Sequence, residues 1–137
     1  MINRKNFLRV TVLSVWLLFF ILNTAIVFIL YDWQWIHRNT FIDALKVINL
    51  AYAPYLGAIL IFYWSNSKNK NPRSSIGVGM ILMIVTSLLW NISITFLLLP
   101  LLRGEALIQD QLESIDSIIT IFSWLVSGAF GFYFARN

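Results

Sequence analysis

An all-α membrane protein, a bundle of four transmembrane helices with both termini cytoplasmic, is the fold class this sequence predicts. Three observations lead there. Four long apolar runs fill most of the chain. Of its 137 residues, 59% are hydrophobic and only 12% charged, about half the charged share of a soluble domain; a soluble domain this small could not bury so much apolar surface. The short segments between the runs alternate in charge. The length allows one domain, residues 1–137, with no room for a separate soluble one.

The first span, about 10–31, reads VTVLSVWLLFFILNTAIVFILY and meets no charged side chain before Asp32. At 1.5 Å per residue it covers about 33 Å, enough for a hydrocarbon core of roughly 30 Å. Arg4, Lys5 and Arg9 precede it as in a signal peptide. The run is longer than a signal core and no clear small-residue cleavage site follows, so a retained helix is expected. The second span, about 44–64, holds Lys46 near its start, where a long stem reaches headgroups. Pro54 lacks an amide hydrogen and crowds the preceding turn, which predicts a kink near Leu50 to Pro54. The third span, about 76–99, is closed by Pro100, and the fourth, about 117–134, is the shortest. In lipid every backbone amide needs an internal partner, so runs of this length are expected as helices.

The loops set the threading. Arg4, Lys5 and Arg9, then Lys68, Lys70 and Arg73 of the SNSKNKNPRSS segment, then Arg136 lie on one side; Arg38, Lys46 and Arg103 lie on the other. Seven of the ten basic residues thus mark the cytoplasmic face. This inner basic surface is read as a topology signal, with anionic lipid as its natural counter-charge rather than nucleic acid. The first outer loop, DWQWIHRNTFID, supplies Trp33 and Trp35 as an interfacial belt. The second carries Arg103 against an acidic surface of Glu105, Asp110, Glu113 and Asp116. After Gly104 breaks the chain, residues 105–116 read as an amphipathic outward extension of helix four, with Leu107, Ile108, Leu112 and Ile115 on its apolar side.

Polar residues inside the spans are the candidate functional set. Asn23 and Asn91 lie about 12 Å from the outer ends of their spans, and Asn49 about 7.5 Å. Ser87, Asn91 and Thr95 recur every four residues on span three, and span four offers Thr120 and Ser123 at similar depth. The expectation is a polar layer in the outer half of the membrane to which all four helices contribute. Its ordinary role is interhelical hydrogen bonding; its alternative is a small polar cavity or conduction path. Small residues form a second pattern. Ser123, Ser127, Gly131 and Ala135 repeat along span four, Asn49, Ala53 and Gly57 along span two, and Gly79 opens span three. Such stripes permit close helix approach, within the bundle or between subunits.

Chemistry is sparse. Without cysteine there are no disulfides, thiolate nucleophiles or thiolate metal sites. No Asp or Glu lies within the apolar core of a span, where a proton- or cation-coupled exporter usually places one. His37 is the one histidine; it reads as an interfacial residue able to join Asp32 or Asp43. The outer acids have no dense calcium-loop spacing. No nucleotide loop or catalytic constellation is present. The expectation is therefore a non-enzymatic integral protein, in a bacterial cytoplasmic membrane, without cofactor or metal. Membrane lipids surround it, and it works as a homo-oligomer or with a membrane protein partner. The alternative is a channel or small-solute transporter using the polar layer; a lipid-directed enzyme built on the outer acids and His37 has least support.

Overall fold

The computed structural model describes residues 4–66, 78–104 and 106–135, with side-chain surroundings for 10–62, 80–104 and 106–131. Four α-helices account for almost all of them: α1 (Arg4–Asp32), α2 (Arg38–Asn66), α3 (Val78–Leu98) and α4 (Ile108–Ala135), with a 3₁₀ turn at Leu99–Arg103. Each helix is long and apolar enough to cross a membrane, over Val10–Asp32, Arg38–Phe62, Met80–Arg103 and Ile108–Gly131, the third including the 3₁₀ turn. No strand occurs among the described residues. The protein is an all-α four-helix membrane bundle.

Helix α1 ends in a tight left-handed cap. The Trp35 amide donates to the Leu30 carbonyl and the Gln34 amide to the Tyr31 carbonyl, each at 3.0 Å. This paired motif closes the last carbonyls of a helix and needs one residue at positive φ, usually glycine. Here Gln34 takes it, at φ 60°, a conformation that costs a side-chain-bearing residue about 1 kcal/mol or more. Helix α2 then starts at once: the His37 carbonyl accepts the Phe41 amide at 2.9 Å. Its first turns thus absorb residues that composition assigns to a loop, and Asp43 and Lys46 pair across one turn at 2.9 Å. At the other hairpin, Pro100 takes an early position in the 3₁₀ turn, where no amide is needed. Gly104, at φ 68°, reverses the chain with its amide on the Leu101 carbonyl at 3.2 Å.

Helix α1 packs on α2 and α3, and α4 packs on the same two. The hairpins α1–α2 and α3–α4 therefore lie side by side, with α1 beside α3 and α2 beside α4, each such pair running in one direction. The end carrying residues 33–37, 99–104 and 106–107 is called the loop end below. The core crosses both diagonals through aromatic rings. Trp16 of α1 lies 5.1 Å from Tyr55 of α2 and 5.6 Å from Phe130 of α4 between centroids, and Tyr55 lies 5.4 Å from Trp90 of α3. All four are buried, at separations where edge and tilted ring contacts are attractive.

Helix α2 continues through Pro54. The proline has no hydrogen for the Leu50 carbonyl and its ring opens that turn. In the same turn the next carbonyl, Ala51, accepts the indole N–H of Trp90 from α3 at 3.2 Å.

Candidate functional site

The polar interior is built by α1, α2 and α3. The Asn23 carboxamide nitrogen donates to the Tyr52 hydroxyl at 2.6 Å, linking α1 to α2 where both side chains are fully buried. On α3 the face Ser87, Asn91 and Thr95 is buried, together with Thr86. Most of its donors turn back on their own helix. Ser87 donates to the Met83 carbonyl at 2.6 Å, Asn91 to the Ser87 carbonyl at 2.6 Å, and Thr86 to the Leu82 carbonyl at 2.7 Å. Such back-bonding satisfies a hydroxyl or amide without crossing to another helix. Tyr55 reaches α4, its hydroxyl donating to the Ser123 carbonyl at 3.3 Å.

Several buried atoms have no protein partner: Asn23 Oδ1, Asn91 Oδ1, Thr95 Oγ1 and Trp16 Nε1. Two carboxamide oxygens and a hydroxyl, on the adjacent helices α1 and α3, are neutral acceptors. They suit water or a weakly held cation and are poor at acid–base chemistry near neutral pH. None of these positions is a carboxylate or a histidine.

Other polar positions go elsewhere. Asn49 and Thr120 are exposed on the outside of the bundle. Their depth along the helix matches the buried set, but α2 turns Ile48, Ala51, Tyr52 and Tyr55 inward, leaving Asn49 off that face. The layer therefore does not receive a side chain from each helix at the expected positions: α2 contributes Tyr52 in place of Asn49, and α4 contributes the backbone of the half-buried Ser123 and the Ser127 side chain, both at Tyr55. Tyr52 and Tyr55 were not singled out by sequence, because a tyrosine in an apolar run resembles interfacial or core filling; their spacing of three, with Trp16 and Trp90 at matching depth, is the signal that was available.

The small residues also lie outside. Ala53, Ser127 and Gly131 are exposed and Gly57 is half-buried, with open space where a Cβ on Gly57, Gly128 or Gly131 would stand. The seams of the bundle hold large aromatic rings and leave these glycines open, while the Ser127 side chain meets the Tyr55 hydroxyl. Gly79 lies in α3, with its surroundings outside the described residues. Asp110, Glu113 and Asp116 are exposed along α4. Leu112 and Ile115 on the opposite side are buried, whereas Leu107 precedes the helix and is exposed, so it does not join the apolar side expected of it. Among the described residues His37 and these acids form no cluster of three or more metal-ligating groups. Arg4, Lys5 and Arg9 lie in α1; Glu105, Lys68, Lys70 and Arg73 lie outside the described residues.

Two recesses open on the surface, the first of them reaching Thr86 of the polar face of α3. A lipid-facing cleft of about 230 Å³ runs between α3 and α4 past Leu89, Trp90 and Phe122. A polar concavity of about 500 Å³ opens at the loop end between α1 and α2. Comparison with known protein families, with characterised proteins and with solved structures finds no match.

Proposed function

We propose that the chain is a small non-enzymatic membrane protein that acts as an oligomeric or partner-bound subunit through the outer face of α4. The observation that carries this reading is the small-residue ridge of Ser127, Gly128 and Gly131, exposed and with open space above both glycines, beside the point where the Ser127 side chain meets the Tyr55 hydroxyl. A ridge of this kind lets a second helix approach backbone to backbone, and packing is the main force between helices in lipid. The closed aromatic interior agrees: its rings bridge all four helices and its tyrosines and Trp90 bond neighbouring backbone or side chains. Substituting Ser127→Leu in native-like lipid is expected to reduce the assembly toward a single 15.9 kDa chain; an unchanged assembly mass would sink the proposal.

The reading places the chain in a bacterial cytoplasmic membrane with the loop end outside and both termini inside, on the distribution of the basic residues. The absence of cysteine gives a clean test. A cysteine at Lys70 is expected to resist an impermeant thiol reagent applied from outside, and one at Glu113 to react; the reverse pattern inverts the threading.

A second reading, a path for a small solute or ion, is favoured by the unpartnered buried oxygens of Asn23, Asn91 and Thr95, since such acceptors can replace hydration without fixed charge. It predicts flux in liposomes that Asn91→Leu reduces several-fold. No flux across a broad panel of ions and small solutes counts against it.

A further inference from the structure

The loop end of the first hairpin holds chemistry that the subunit reading does not use. Its concavity of about 500 Å³ is lined by Tyr31, Asp32, Gln34, Ile36, His37 and Arg38. Ile36 is buried beneath it, and the polar members are exposed. The recess lies where a membrane-length helix ends and the next begins. Trp33 and Trp35 flank it, 53% and 52% exposed, with rings 5.2 Å apart. Half-exposed tryptophans at the end of a span mark the headgroup level, so a ligand in this recess sits at the depth of a phospholipid headgroup.

The charges give the chemistry. Asp32 and Arg38 stand on the walls of one recess, yet they form no ion pair with each other; the ion pair among the described residues is Lys46 with Asp43. Opposite charges that line one recess without pairing with each other suit a ligand that carries both signs. We propose that this concavity binds the zwitterionic headgroup of a phospholipid with a primary amine: Arg38 and His37 receive the phosphodiester, and Asp32 receives the ammonium. Arginine matches phosphate oxygens with its planar fork of donors. A primary ammonium donates hydrogen bonds to a carboxylate, which a trimethylated amine lacks the hydrogens to do. A headgroup with phosphate alone leaves Asp32 facing an anion. The residue at the helix cap, Gln34, holds positive φ where glycine is usual and thereby keeps an amide side chain on the wall of the recess.

The test uses the full chain, purified, stripped of lipid and titrated by native mass spectrometry with phosphatidylethanolamine, phosphatidylcholine and phosphatidylglycerol of identical acyl chains. Phosphatidylethanolamine is expected to be retained about tenfold more strongly than the others, the scale of one charge-assisted bond. Arg38→Gln is expected to lose it about tenfold; Asp32→Asn is expected to erase the preference over phosphatidylcholine and to raise phosphatidylglycerol. Both side chains are exposed, and unaltered thermal unfolding of the variants separates lost binding from lost fold. Equal retention of the three lipids, or a preference that survives both substitutions, overturns the proposal. Binding of water-soluble phosphorylethanolamine as tightly as of the lipid overturns the assignment to a lipid. None of these outcomes depends on how chains associate through α4.

Discussion

The bond from Asn23 to Tyr52 joins two fully buried side chains and ties α1 to α2 directly. In hydrocarbon an unmet amide is costly, although the alternative partners available in the unfolded membrane state reduce the net value. Asn23→Leu and Tyr52→Phe are each expected to lower unfolding free energy in bicelles by about 1 kcal/mol, and the double variant to lose less than their sum. Strict additivity would show that the pair does not couple α1 to α2. At this scale the sequence was partly legible. The four-residue repeat of Ser87, Asn91 and Thr95 gave one buried face of α3. Asn49 and Thr120 carried no such partners in register, and depth along a helix says nothing about rotation around it. Asn49 therefore passed for an interior residue when its neighbours Ile48 and Tyr52 hold that face.

Among elements, α2 shows a neighbouring helix bonding its backbone next to a local breach. Pro54 interrupts the hydrogen-bond ladder inside a 29-residue helix, and the Trp90 indole donates to the carbonyl of Ala51 in the turn that the proline opens. Trp90→Phe keeps most of the ring packing against Tyr55 and deletes that donor, so it is expected to cost about 1 kcal/mol of unfolding free energy. In a Pro54→Ala background the ladder is restored and the same change is expected to cost less; an equal loss in both backgrounds would separate the bond from the proline. The helix ends were less legible than the spans. Residues 38–43 look like loop because they are polar, but the cap at Gln34 starts α2 directly after α1, and a helix at the membrane surface need not be apolar.

For the whole molecule, hydropathy locates the spans and hides the bundle's interior. A helix in lipid is apolar all round, so Leu18, Ile21, Phe96 and Trp124 face outward while the buried positions are marked by ring size and by polar atoms. That is why four helices were readable from composition, whereas the pairing of α1 with α3 and of α2 with α4 was not: no loop charge or apolar count encodes which hairpin face meets which. The same arrangement leaves the Ser127, Gly128 and Gly131 ridge of α4 on the surface, and the proposed function rests on that ridge being covered in the membrane. The direct measurement is the mass of the assembly extracted in native-like lipid without detergent, for the unaltered chain and for Ser127→Leu. The account predicts an assembly heavier than one chain that collapses toward 15.9 kDa in the variant. A single unaccompanied chain in both samples, or an assembly of the same mass in both, contradicts it.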